Sequence, residues 1–211
     1  MIKAFLFLLC LCSYSQSFSQ QILFSTKAST TPYVYLDQDT VEIKVLKYYI
    51  TKLQLWQHQQ LVYTDQRGAY LIDGLRDTTY YLANKKPFDS LSFTLGIDSA
   101  IQRKGALGKD LDPTNGMYWA WQSGYIHFKL ETHSSNNKPL QLHIGGYAYP
   151  FNTLQRLGFK VSNTKKISIQ LELLKLLQQI NSQKVFKIMS PSAEAVLIAS
   201  FIAQSLSISN E

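Results

Sequence analysis

The segment TVEIKVLKYYITKLQLW, from Thr40 to Trp56, sets Val, Ile, Tyr and Leu at alternating positions and contains neither Gly nor Pro. Successive side chains of a strand point to opposite faces, so this alternation describes a long strand and not a helix, whose apolar residues recur every three to four positions. The same reading extends outward to Gln60–Tyr63, Ala69–Ile72, Thr79–Leu82, Leu91–Leu95, Tyr125–Glu131, Leu140–Ile144 and Lys166–Leu171. Turn-forming sequence separates them, as at Asp65-Gln66-Arg67-Gly68 and Asn84-Lys85-Lys86-Pro87. Many short strands at this spacing predict a mostly β, single-domain antiparallel β-sandwich. One or two late helices complete it: Leu171–Ile180, and a second after Ser190-Pro191, where serine caps and proline suits the first turn. In the second, Leu197/Phe201 and Ile198/Ile202/Leu206 form an apolar stripe, which predicts packing on the sheet rather than a membrane or partner face.

The chain opens Met1-Ile2-Lys3, runs apolar from Ala4 to Cys12 and becomes Ser- and Gln-rich up to Ser17-Phe18-Ser19. A short basic start, an apolar stretch and small residues describe a secretory signal peptide, so residues 1–19 are expected to be removed and residues 20–211 to form one domain. The apolar stretch is shorter than the ~20 residues that span a bilayer, and no later segment is a better candidate. The expectation is an exported protein, periplasmic or secreted, with no integral membrane segment after signal cleavage. Cys10 and Cys12 leave with the signal, and Leu9 and Leu11 before them are not the small residues of a lipoprotein site. The mature domain then has no disulfide, no thiolate ligand and no cysteine nucleophile. The net charge of +7 falls by one when Lys3 leaves, and the remaining Lys and Arg are scattered. Nucleic-acid binding is not expected, and the charge supports only a mild preference for anionic surfaces.

Without cysteine, a metal site must draw on His58, His127, His133 and His143, on carboxylates or on weaker donors. In Tyr125–Glu131, Ile126, Phe128 and Leu130 share one face, leaving Tyr125, His127, Lys129 and Glu131 on the other. In Leu140–Ile144 the same logic sets Gln141 and His143 opposite the apolar face. The polar connection Thr132–Pro139 suits a hairpin. With its centre near Ser135/Asn136, paired residue numbers sum to about 270 or 271, aligning His127 with His143 at Cβ distances of ~4.5–5.5 Å. Two imidazoles so placed can share one metal ion. Against this, a slip of one residue would turn one of them to the other face. His133 falls in the loop, as a solvated residue or an additional ligand.

Trp119 and Trp121 stand two apart and would share a face in a strand, as core packing, as an exposed aromatic platform, or beside a redox metal where they can be oxidised. Asp98, Asp110 and Asp112 lie in the polar stretch Gly96–Gly116 without the spacing of a calcium loop, so turn and capping roles are expected of them. No Gly-x-Ser-x-Gly elbow, phosphate-cradling loop, HExxH or nucleotide fingerprint occurs. A hydrolase or nucleotide-dependent enzyme is therefore not expected, and a non-catalytic protein is the leading expectation over a copper enzyme or electron-transfer protein.

The runs Leu95-Gly96-Ile97-Asp98-Ser99, Gly105-Ala106-Leu107 and Leu111-Asp112-Pro113-Thr114-Asn115-Gly116-Met117-Tyr118-Trp119-Ala120-Trp121-Gln122-Ser123-Gly124-Tyr125, continuing to Glu131, resemble the signature of the MbnP family of copper-binding proteins. The likeness extends to His143-Ile144-Gly145-Gly146, to Tyr48–Leu55 and Tyr70–Asp73, and to Ile188-Met189-Ser190-Pro191. Its most specific part is Asp-Pro-x-x-Gly-Met-x-Trp-x-Trp-x-x-Gly-Tyr, with Asp98, Asp112, Gly116, Met117 and Gly124 as signature residues. The resemblance implies a periplasmic, outer-membrane-associated or secreted β-rich protein linked to copper acquisition. In characterised relatives, histidines hold copper together with kynurenine, made from a tryptophan by a MauG-like di-haem partner. Trp119 and Trp121 both match the tryptophan signature, and His143 matches a histidine before Gly-Gly. Relatives often carry a histidine shortly before Met-Ser-Pro, where this chain has Lys184-Val185-Phe186-Lys187-Ile188. His127 stands at a position not regularly histidine. The expected function is thus copper handling with His127, His143 and His133 as metal candidates; the alternative is a metal-free β-sandwich binding or structural module at the cell envelope.

Overall fold

The computed structural model describes residues 20–26, 31–84, 86–121, 124–135, 138–161 and 166–210. The signal peptide read at 1–19, with Cys10 and Cys12, lies outside the described residues, as do Lys85, Gln122, Ser123 and Asn136. In chain order the strands are β1 Gln20–Thr26, β2 Tyr33–Leu36, β3 Asp39–Gln57, β4 Gln60–Thr64, β5 Ala69–Asp73, β6 Thr78–Leu82, β7 Ser90–Leu95, β8 Tyr118–Trp119, β9 Gly124–Ser134, β10 Gln141–Gly145, β11 Gln155–Lys160, β12 Lys166–Leu171, β13 Lys187–Ile188 and β14 Leu206–Asn210. The helices are α1 Ser99–Gln102, α2 Leu173–Gln183 and α3 Ala193–Gln204.

The segment with the clearest alternation is the spine of the fold. One flank of β3 pairs with β2, β5 and β4 in turn, and the other with β9 and then β7. So many partners require the strand to bend. It does so at a bulge between Thr51 and Gln54, where Lys52 takes φ 51°. The large sheet runs β11-β7-β3-β9-β10-β13 and curls about this spine; a second sheet runs β14-β12-β1-β6. The domain is mostly β and sandwich-like, as expected, but not wholly antiparallel: β1 runs parallel to β12, and β10 to β13.

Leu46, Tyr48 and Ile50 of β3 join Phe128 and Leu130 of β9, Ile167 and Ile169 of β12, and the inner faces of the late helices in one core cluster. Ile198 and Ile202 of α3 are buried on the expected stripe, whereas Leu197 faces solvent. Ser192, not Ser190, caps this helix, its side chain accepting from Ala195 N, so Pro191 precedes the cap and does not sit in the first turn. Among the described residues no helix is long and apolar enough to cross a membrane.

Candidate metal site and aromatic cleft

On the opposite face of the spine, the segment following β7 folds back as a flap. Gly96, at φ 103°, starts it. Asp98 then caps α1, accepting from Ala100 N at 2.8 Å and Ile101 N at 3.0 Å, and pairs with Lys52 Nζ at 3.0 Å, the side chain that the β3 bulge turns outward. Burial works against its charge, but Lys52 and the two amides hold its carboxyl below the usual range. Two tight turns follow, Lys109–Leu111 and Pro113–Asn115, the second capped by Asp112 and closed by Gly116 at φ 72°. The Asp110 carboxylate accepts from Arg67 at 2.9 Å and from Leu71 N at 3.2 Å. Asp98 and Asp112 therefore serve the capping roles expected of them, whereas Asp110 ties its turn to Arg67 and to the β5 backbone.

Two tyrosines pin the flap to the sheet. Tyr49 of β3 donates to Asp110 O at 2.8 Å, and Tyr125 of β9 accepts from Leu107 N at 3.0 Å while its hydroxyl faces the carbonyls of Leu111 and Gly105. Beneath lies a second apolar cluster of Tyr49, Ala69, Ile97, Met117, Trp119, Tyr125 and Ile126. The signature segment is thus a lid over the outer sheet face.

His127 lies under that lid, 2% exposed. Its ring fills the space left by the missing Gly96 side chain: a Cβ there would sit 2.8 Å from His127 Cγ and Nδ1. The Gln102 Oε1 accepts from Tyr125 N at 2.9 Å, which turns the amide NH2 toward His127 Nε2 at 3.0 Å. That nitrogen must accept, so the proton sits on Nδ1, which donates to Thr153 Oγ1 at 2.9 Å. Burial, only partly offset by the Ile97 backbone, pushes the pKa of His127 down to about 3. The ring is neutral at physiological pH, with its lone pair on the Gln102 amide.

The hairpin register differs from the expected one. His143 pairs with Lys129, Ile144 with Phe128 and, past a bulge, Gly145 with Ile126. The turn centre lies later than expected because β9 continues to Ser134 along β3, while β10 begins only at Gln141. The two-residue shift keeps both imidazoles on the outer face but places them diagonally, on different partners. His143 Nε2–H donates to Glu131 Oε1 at 2.8 Å, and Lys129 Nζ lies 3.2 Å from the same oxygen. Partial burial, reinforced by Lys129, keeps His143 below the ordinary imidazole value despite Glu131. His133 is not in the loop but on β9 opposite Glu42, and it is exposed. Among the described residues no three of His, Cys, Asp and Glu gather as a metal-holding group.

The tryptophans do not share a face. β8 ends at Trp119 and a turn follows, so Trp119 is 5% exposed and Trp121 68%, with ring centroids 6.0 Å apart. Trp119 and Gln102 line a cleft of about 290 Å3 together with Gly146, Tyr147, Tyr149, Phe151 and Pro191. No pattern in the sequence pointed to Gln102, Thr153 or this aromatic loop. Asp98 two residues before Ala100 was the available signal for the short helix that presents Gln102.

The arrangement defines a class: a curled-sheet β domain whose lid buries one neutral imidazole behind an aromatic cleft. A family model described as MbnP matches residues 15–191, and the chain belongs to the MbnP family. Its structure is similar to MbnP from Methylosinus trichosporium, with a TM-score of 0.57, 13% sequence identity, and coverage of 77% of this chain and 78% of that one. At that identity the likeness shows the fold. No curated protein matches the sequence.

Proposed function

We propose that the protein is an exported, non-catalytic copper-handling protein that takes copper as cargo at His127, reached from the cleft by displacing Gln102. The observation that carries this reading is the neutral His127 Nε2 held by nothing stronger than an amide, at a wall built from the family signature. A neutral imidazole is a good copper donor. With a pKa of about 3 it needs no deprotonation at neutral pH. His143, whose Nε2–H donates to Glu131 and which would offer Nδ1 as its donor atom, suits copper less well because the Lys129 ammonium beside that carboxylate repels a cation. One imidazole is an incomplete set. Conversion of Trp119 or Trp121 to kynurenine by a MauG-like di-haem partner would add an aromatic amine and a ketone oxygen beside the cleft; an indole supplies neither.

Metal analysis and intact mass of the protein purified from its own host test this. The expected result is a signal-cleaved chain carrying copper. Protein that arrives metal-free and unmodified, and takes up no copper on titration, would instead support the second reading, a metal-free binding module at the envelope. The specific observation favouring that alternative is the divergence of His127 and His143 onto separate partners.

A further inference from the structure

Among the described residues, no Asp, Glu, Lys or Arg lines the cleft. Its rim is aromatic and open: Tyr149 is 96% exposed, and Tyr147 and Phe151 are each more than a third exposed. Large apolar side chains grouped in this way, rather than scattered singly, mark a contact surface. On the inner wall, the buried Trp119 Nε1–H meets no acceptor among the described residues. A buried donor without a partner is unfavourable.

We propose that this cleft binds a neutral, flat, ring-bearing small molecule. A charged ligand would lose its hydration with no opposite charge in the walls to replace it. The volume lies at the lower end of the usual ~300–1,000 Å3 for ligand pockets, which suits one or two rings. Trp, Tyr and Phe faces favour stacked or edge-on contact with such rings.

His127 acts in this as a positioning residue. Gln102 and Gly146, which both line the cleft, are joined through it: Gln102 to His127 at 3.0 Å, His127 to Thr153 at 2.9 Å, and Thr153 Oγ1 to Gly146 O at 3.1 Å. The backbone adds a parallel tie, Thr153 N to Gly146 O at 3.0 Å. The same imidazole proposed to take copper thus sets the spacing of the cleft walls in the metal-free protein. The ligand proposal does not depend on copper.

Amide NMR of the metal-free, signal-cleaved protein, titrated in parallel with benzamide, benzoate and methyl β-glucoside, tests it. Benzamide should give saturable shifts centred on the Trp119 indole N–H and the Gln102 side-chain amide, and benzoate should bind about tenfold more weakly. The double variant Tyr147→Ala/Phe151→Ala, altered at the rim, should lose about tenfold in benzamide affinity while keeping its unfolding midpoint. His127→Gln should also weaken benzamide, as a loosened wall requires; if that variant fails to fold, the rim variant carries the test. Absence of saturable benzamide shifts, equal binding of benzoate, or preference for the sugar would overturn the proposal. None of these outcomes depends on whether copper binds.

Discussion

Protonation of His127 should make the stability of this protein fall from neutral toward mildly acidic pH, before its carboxylates titrate. In the unfolded chain the imidazole titrates near its ordinary value of ~6.5. In the folded protein, burial pushes it down to about 3. Because the folded value is the lower one, the unfolded state binds the proton first. The stabilisation is complete above the unfolded pKa and is lost progressively as pH falls toward the folded one. Between pH ~7.5 and ~5 the linkage amounts to about 2 kcal/mol, and the full interval to pH ~3 to about 5 kcal/mol. Set against a typical total of ~5–15 kcal/mol, the first figure is readily measured. Asp98 and Glu131, with carboxyls below the usual range, contribute their own loss only beneath the ordinary carboxylate values, so the upper window belongs to histidine. His143 is shifted the same way and adds to the wild-type slope, so the reading is the difference between wild type and His127→Gln. Urea unfolding followed by tryptophan fluorescence across that window should give the variant a stability flatter by about 2 kcal/mol. Equal slopes in the two proteins would refute the assignment of a buried, neutral His127.

Three further substitutions probe the lid and cleft. Gly145→Ala would place a Cβ 2.7 Å from the Trp119 ring and 2.8 Å from the Tyr125 carbonyl oxygen, and should cost about 1–3 kcal/mol in urea unfolding. Trp119→Ala should cost about 3–5 kcal/mol, and Trp121→Ala, at an exposed position, less than about 0.5 kcal/mol; thermal unfolding of the pair should show this asymmetry. Asp98→Ala removes the α1 cap and the partner of Lys52, and should cost about 1–2 kcal/mol while speeding hydrogen exchange at Ala100 and Ile101.

The strands were legible where one face meets the core and the other meets solvent or the lid. Alternation in Thr40–Trp56 found β3 to within a residue at each end, and Lys166–Leu171 found β12 with both bounds correct. Strands such as the two-residue β8 and β13 have too few positions to alternate and were not found. The parallel pairings of β1 and β10 were equally hidden, since partner direction leaves no mark on a single strand's pattern. For the candidate site, the faces of His127 and His143 were legible, because side-chain alternation is a property of one strand, whereas His133, expected in the loop, lies on β9. The pairing of His127 with His143 was not legible, because it depends on where the turn centres, and β3 holds the end of β9 into the expected connection as far as Ser134. The burial of His127 follows from a lid brought across the sheet by Gly96, Lys52 and Tyr49, residues distant from it in sequence. Trp119 and Trp121 show the same limit: two-residue spacing implies a shared face only while the strand continues, and here it stops at Trp119.

Copper is proposed to enter at His127. Copper(II) titration of the protein from Gln20 onward, followed by its visible absorption and electron paramagnetic resonance, checks this, with His127→Gln and His143→Ala measured alongside and each variant first shown to unfold cooperatively. Saturable binding with nitrogen coupling is expected in wild type and in His143→Ala, and its loss in His127→Gln. Unchanged copper binding by folded His127→Gln would contradict it.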